Sequence, residues 1–381
     1  MSKFENVIKS IDLMITEECN LSCEYCFHEK KPTTMTLEQG KKILDRMKEL
    51  SPEEMTVTFF GGEPFLYPQL ILDLSKYALS LWGKRIRLHV VTNATVFDQE
   101  IFTELSKMPF SIQVSIDGDE ITNKEHRGGD FKEICGNIIK IRDMFGSISA
   151  RMTYTPKTVG RLSTNIEFIH RELGINKIMH HAVMEADWTD DSAQLYQTQL
   201  NHVYHYRRFC LKRDIPIDIH FIERPLSVLD EDEKADKNFC EAGKTYIAIG
   251  ADGDCYPCHR AFSSRVFRLG NIFEEVPFIR GIFLNIDKQS TGCWKMCDSA
   301  RTCHSCIITA YKVHGDLNKP IGSYCKICQI ENKQASMYLP TEISDRNRNL
   351  LIKLGSVVAD MATELGELRQ DINNSKKELG E

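Results

Sequence analysis

Three cysteines crowd one short stretch near the N-terminus, TEECNLSCEYCFHEK, where Cys19, Cys23 and Cys26 have the spacing C-x3-C-x2-C. A tetrahedral zinc site takes four protein ligands, or three and a water. Three thiolates on one loop can instead hold three irons of a cubane cluster and leave the last iron open to an exchangeable ligand. The triplet belongs to a larger excess, because the chain has 14 cysteines. A reducing cytosol leaves little use for that many as disulfides. Metal or cluster ligands and reactive thiols are the alternatives. All but Cys135 and Cys210 fall in two groups, Cys19 to Cys26 and Cys240 to Cys328. Those two lone thiols read as inert packing.

Further motifs follow in order. FFGGEPFLYP (59–68) follows the second strand candidate, VVTNAT (90–95) ends the third, and SIDG (115–118), with KEHRGG (124–129) downstream, ends the next. Together with CNLSCEYC, in which Tyr25 precedes and Phe27 follows the last cysteine, these segments resemble the radical S-adenosylmethionine (SAM) enzymes, in family order and at family-like intervals. Ala94 stands where that family more often has glycine. The resemblance implies a 4Fe–4S cluster on Cys19, Cys23 and Cys26. It implies a SAM site built from Tyr25, Phe27, Gly61, Gly62, Glu63, Pro64, Asn93, Ser115 and Arg127. SAM's amine suits the Gly61–Gly62 backbone with Glu63 nearby, since glycine lets main chain approach closely. Its carboxylate suits the Ser115 hydroxyl and the Arg127 fork. In such enzymes an electron from the reduced cluster cleaves SAM to methionine and a 5′-deoxyadenosyl radical, which abstracts a substrate hydrogen.

The second group begins with Cys240, Gly253 and Cys258, with Cys255 inside GDCYPC. A dense run, Cys293-x3-Cys297-x5-Cys303-x2-Cys306, comes next, and SYCKIC supplies Cys325 and Cys328. Read alone, the C-x2-C pairs suit zinc ribbons as well as clusters. After the first motifs, the region resembles the SPASM extension of radical SAM barrels, which implies two auxiliary 4Fe–4S clusters. Its interleaved connectivity, carried over, puts Cys240, Cys258 and Cys306 on one cluster with Cys255 as the fourth ligand. The other takes Cys293, Cys297, Cys303 and Cys325, with Cys328 spare or substituting for Cys325. The dense run departs from the commoner x2, x5, x3 spacing. After Cys258, anaerobic sulfatase maturases have an Asp base; here stands His259, a candidate acid/base group.

The elements that must position these residues read as strand–helix alternation. Strand candidates are 11–15, 55–60, 86–91, 111–116, 148–154 and 175–181, with helices over 37–50, 68–82 and 130–146. Such alternation predicts parallel βαβ units, either a partial (β/α)6 barrel or an open doubly wound sheet. We therefore expect an α/β chain with a radical SAM barrel over 8–228, a small Cys-rich α+β domain over 229–335 and a C-terminal helix over 340–381. LDEDEKADKN marks the linker. The Cys-rich region reads as helix-poor, with bound metal as its staple. Leu351, Leu354, Val358, Met361, Leu365, Leu368 and Ile372 form a heptad seam.

Composition sets the outer bounds. The chain is 42% hydrophobic and 27% charged, as in ordinary soluble proteins. A net charge of −6 argues against a general nucleic-acid coat. No apolar run reaches the roughly 18 residues of a membrane span, and no signal peptide is present, so a cytoplasmic enzyme is expected. The resemblance implies a peptide or protein substrate and a low-potential electron donor such as flavodoxin or ferredoxin. No leader-binding module precedes Cys19, so a separate partner protein, the barrel or the tail would supply that recognition. A small-molecule oxidase or isomerase on the same scaffold is the runner-up, and a metal-stabilised interaction protein the non-enzymatic alternative.

Overall fold

The computed structural model describes residues 8–230, 240–262, 264–274, 297–317 and 319–344. Residues 231–238 of the linker, Cys293 and the heptad seam lie outside these residues. Six parallel strands carry the first half: β1 (Ser10–Thr16), β2 (Met55–Gly61), β3 (Ile86–Thr92), β4 (Phe110–Ser115), β5 (Ser149–Tyr154) and β6 (Lys177–Ala182). A short β7 (Asp218–Ile219) follows, then β8 (Tyr246–Ile249), β9 (Asp254–Tyr256) and β10 (Gly270–Asn271). The sheet order is β10-β9-β8-β1-β2-β3-β4-β5-β6-β7.

That order decides between the two expected architectures. A doubly wound sheet reverses its strand order at a switch point. Here β1 to β7 run in sequence, so right-handed crossovers put every helix on one face. The result is the barrel-type winding, with the outer face packed on helices and the inner face left to line a cavity. β2 shows the division: Met55, Val57 and Phe59 are fully buried toward the helices, while Thr58 and Phe60 line the cavity.

The helices form where local signals start and stop them. α1 (Leu37–Leu50) opens with a capping box between Thr36 and Gln39 and buries Ile43, Leu44 and Met47. α2 (Pro68–Trp82) has Pro68 in its first turn, where a missing N–H costs nothing. α3 (Gln99–Ser106), α4 (Glu120–His126) and α5 (Phe131–Phe145) each begin at an aspartate cap, Asp98, Asp119 and Asp130. α6 (Leu162–Arg171), α7 (Asp190–Leu211) and α8 (His220–Asp230) complete the outer layer. None of the described helices is long and apolar enough to cross a membrane.

The sheet continues into the Cys-rich region, because β8 pairs in parallel with β1. β8, β9 and β10 then form an antiparallel edge. The expectation that this region is helix-poor is corrected: α9 (Ile307–His314) and α10, helical over 322–344, follow the cysteine run. α10 docks on the barrel: Tyr338 stacks on Tyr204 of α7 at 4.4 Å, and Arg207 Nη1 reaches Glu342 at 2.9 Å.

Candidate functional site

A cavity of about 410 Å³ opens at the C-terminal ends of β1 to β6, where βα barrels place their chemistry. Cys19, Cys23 and Cys26 stand on its wall, on the loop that leaves β1. The turn after β2 holds this loop in place. Gly62 N donates to Thr16 O at 2.8 Å and Glu63 N to Glu18 O at 2.8 Å. Gly61 has φ +145°, and a Cβ there would fall 2.1 Å from Thr16 O. At Gly62 a Cβ would fall 2.0 Å from Glu18 O and 3.1 Å from Cys19 Cβ. Both glycines are therefore needed for close approach.

Burial raises the pKa of the Cys19 and Cys23 thiols, and the three thiols repel one another as they ionise. Arg127 offsets part of this at Cys23. Three mutually repelling sulfurs facing one cavity, with a glycine cradle behind them, fit a bound metal cluster that replaces their protons.

Glu63 is buried and already occupied. Its Oε1 accepts from Thr92 Oγ1 at 2.7 Å and Phe65 N at 3.0 Å, and its Oε2 accepts from Asn93 N at 2.6 Å. Burial still pushes its pKa up to about 7. Pro64 follows as the first residue of the short turn that Glu63 caps. Asn93 Nδ2 reaches Asn20 Oδ1 at 3.0 Å and lies 3.8 Å from Cys19 Sγ. The glycine-like conformation of this turn is real: Ala94 has φ +57°.

Asp117, quoted above within SIDG but given no task, is the hub of the opposite wall. It is fully buried. Arg127 Nε lies 2.9 Å from its Oδ2 and Nη2 donates to its Oδ1 at 3.1 Å. Tyr25 also donates to it, and Thr153 N does so at 2.8 Å. Burial alone would raise its pKa, but Arg127, His126 and Tyr25 outweigh that and lower it. Ser115 ends β4 on the same wall. Phe27 lines the cavity beneath the Arg260 guanidinium, at 4.7 Å.

His259 enters from the Cys-rich region. Its ring stacks on Phe60 at 4.5 Å. Its Nδ1 lies 2.7 Å from Asp12 Oδ2 and 2.7 Å from the Tyr246 hydroxyl, and Tyr246 donates to the same aspartate oxygen. Asp12 on β1 and Tyr246 on β8 escaped the sequence reading. The signal was present: a charged residue inside the apolar strand IDLMI.

Two neighbourhoods form among the described cysteines of the second group. Burial first, then Cys306 and Cys240, push the Cys258 pKa up, so these three thiols share one locality. Cys255, expected as their fourth partner, is not among the main influences on the Cys258 thiol. It is fully buried on β9, its thiol donates to Gly253 O at 3.5 Å, and its electrostatic neighbours are Asp254, Arg268, Asp252 and Glu274. Cys303 and Cys328 form the second neighbourhood, with their thiols hydrogen-bonded. Cys325 lies one helical turn before Cys328 on α10, half-buried, and Cys297 is also half-buried. His304 and Glu331 lie against Cys328, with their ligand atoms within 4.8 Å of one another. Glu331 accepts from the Tyr196 hydroxyl at 2.7 Å.

Comparison with known proteins covers both halves of this arrangement. The model of the radical SAM superfamily matches residues 13–169, and that of the SPASM iron–sulfur cluster-binding domain matches 240–307. The antilisterial bacteriocin subtilosin biosynthesis protein AlbA of Bacillus subtilis is 25% identical over 341 residues, 84% of this chain and 71% of AlbA. The sporulation killing factor maturation protein SkfB of the same organism is 27% identical, over 65% of this chain and 60% of SkfB. Among solved structures, native anSMEcpe with bound AdoMet superposes with a TM-score of 0.72 at 17% identity, over 89% of this chain and 99% of its own. The matched segments fall on the strands and loops that build the cavity and on the cysteines beside it. Residues 13–169 are therefore a radical SAM domain and residues 240–307 a SPASM domain, and the cofactors these imply are S-adenosylmethionine, a 4Fe–4S cluster and auxiliary iron–sulfur clusters.

Proposed function

We propose that this enzyme modifies a peptide or protein substrate by hydrogen-atom abstraction, as an oxidoreductase that installs a crosslink, an oxidation or an epimerised centre. The observation that carries the reading is the extent of the similarity to AlbA. It runs through the barrel and the Cys-rich region together, the two parts that meet in the cavity. AlbA and SkfB are named for the biosynthesis of a bacteriocin and the maturation of a killing factor.

Cys19, Cys23 and Cys26 would hold the barrel cluster, which with bound SAM supplies a 5′-deoxyadenosyl radical when reduced. The Gly61 and Gly62 carbonyls would receive the SAM ammonium, since the oxygens of Glu63 are spent on Thr92, Asn93 and Phe65. Ser115 and Arg127 would receive its carboxylate. Tyr25 and Asn93 fix the walls, Phe27 covers the floor, and Pro64 sets the turn. Cys240, Cys258 and Cys306 would hold one auxiliary cluster. Cys297, Cys303 and Cys328, with Cys293 or Cys325, would hold the other. Asp12 and Tyr246 occupy His259 Nδ1, which leaves Nε2 to exchange a proton with the substrate. A low-potential flavodoxin or ferredoxin in the cytoplasm would supply the electron, and a separate leader-binding protein would present the peptide.

The test is isotopic. Anaerobic, iron-loaded enzyme is given SAM, a strong reductant and extract from host cells grown on deuterated amino acids, split by size. Deuterium in 5′-deoxyadenosine from the peptide or protein fraction is the expected result. Deuterium from the small-molecule fraction alone would overturn the peptide reading in favour of a small substrate.

A further inference from the structure

Three guanidinium groups line the cavity, those of Arg127, Arg151 and Arg260. Two are matched by carboxylates. Arg127 is held by Asp117, and Arg260 Nη2 lies 2.5 Å from Glu185 Oε1. The Arg151 side chain has no hydrogen bond and no ion pair with any described residue.

The sheet register explains its setting. Arg151 is an inward position of β5, directly opposite Ser115 on β4 and Met179 on β6. Neither neighbour offers a negative charge. His181, on the next strand inward, is held neutral, first by burial and then by Arg151 itself. Burial, followed by repulsion from Arg260 and Arg127, lowers the Arg151 pKa, against a smaller opposing effect of the Tyr25 and Tyr246 phenols. A guanidinium nonetheless keeps its proton in a protein. Arg151 is half-buried on the cavity wall, and a partly desolvated charge gains when an opposite charge meets it. The one direction from which a partner can come is the cavity.

We infer that Arg151 is the chamber's receptor for a carboxylate, and that the substrate carries it. A planar guanidinium at the chamber wall would take a carboxylate in a bidentate pair and so fix the reacting segment against β5. This deepens the peptide reading above and rests on it. The segment that loses hydrogen would carry an aspartate, a glutamate or a terminal carboxylate. SAM is the other source of a carboxylate in this chamber, and the test must separate the two.

Anaerobic holoenzyme, as wild type, R151Q and R151K, is titrated calorimetrically with SAM and with decarboxylated SAM. The SAM-bound forms are then titrated with acetyl-Gly-Glu-Gly-amide and its glutamine counterpart. Iron content and circular dichroism confirm that each variant is folded and loaded. We expect wild type to prefer the glutamyl peptide by about tenfold or more, the usual strength of a charge-assisted pair. R151Q should lose the preference, R151K should keep part of it, and SAM affinity should stay within about twofold. No preference in wild type, or a preference that survives R151Q, overturns the inference. A tenfold loss of SAM affinity in R151Q with decarboxylated SAM unaffected would give the carboxylate to SAM and overturn the substrate assignment. Failure of the peptide reading is separate, because it would appear as deuterium from small molecules. Glutarate would then replace the peptide as the probe, with the same criteria.

Discussion

Asp117 holds one wall of the chamber together through Arg127, Tyr25 and the Thr153 amide. Replacing it with asparagine would leave the Arg127 charge buried without its partner. We expect D117N to lose about 3 kcal/mol in urea unfolding, the scale of a broken buried pair, and to bind SAM more weakly because Arg127 is no longer held. Unchanged stability would mean that water replaces the carboxylate. Glu63 gives a pH signature. Its folded pKa of about 7 lies above the ordinary 4.5. Between those values the unfolded chain has released the proton and the folded one keeps it. Stability therefore falls as pH rises through this window, by at most about 1.4 kcal/mol per pH unit, and levels off above it. E63Q places an amide nitrogen against donors and so costs stability at every pH, but it should abolish that slope. Denaturant midpoints of the iron-free protein between pH 5 and 8 would check this, and an identical slope in E63Q would refute it. At this scale the triplet Cys19, Cys23 and Cys26 was legible in its spacing, and Gly61, Gly62 and Arg127 through the family resemblance; all six line the cavity. Asp12, Asp117 and Arg151 were not, because their tasks depend on partners from other strands. What could have marked two of them is a charge at an inward position of a strand, in IDLMI and in ISARMTY.

The elements carry the site through the turn after β2, which packs on the loop after β1 without room for a side chain. The Cβ of G62A would lie 2.0 Å from Glu18 O, so the backbone must shift and the bond from Glu63 N to Glu18 O is strained. We expect iron bound at the barrel site to fall by half or more in G62A. The control is G136A on the exposed side of α5, where a Cβ meets nothing within 4 Å. It should leave iron content unchanged and stabilise the chain by about 0.5–1 kcal/mol, the helical preference of alanine over glycine. Equal iron loss in both would remove the steric account. Elements with clear caps and apolar periodicity could be read from sequence; α1 and α2 match their expected spans. α7 could not. Its buried face includes Tyr196, Tyr204 and Arg207, and polar tips among buried residues blur the stripe that marks a helix. α10 was hidden by its cysteines, whose C-x2-C spacing reads as a turn but also fits one face of a helix.

At the scale of the whole molecule, two kinds of cohesion meet. The barrel is filled by apolar side chains from β1 to β7 and from the helices around them, in a cluster that continues into the Cys-rich region through Ile247, Ile249, Ile308 and Tyr324. Among its described residues, the Cys-rich region buries apolar side chains on β8, β9, α9 and α10 and on the loops between them. It is attached along the β1–β8 ladder, by Asp12, Tyr246 and His259, and by α10 against α7, where Tyr196 donates to buried Glu331. Removing iron should therefore act unevenly. Chelation under reducing, anaerobic conditions takes away the charge that the clustered thiols share, and the region then rests on these attachments alone. We expect amides of β1 to β6 to keep their hydrogen-exchange protection. Those of β9, β10 and 297–314 should lose it by more than tenfold, and α10 should fall between, since its stacking on Tyr204 and its pairing with Arg207 involve no sulfur. Uniform loss across both parts would mean instead that the ten-stranded sheet opens as one unit and that the clusters stabilise the barrel through β8.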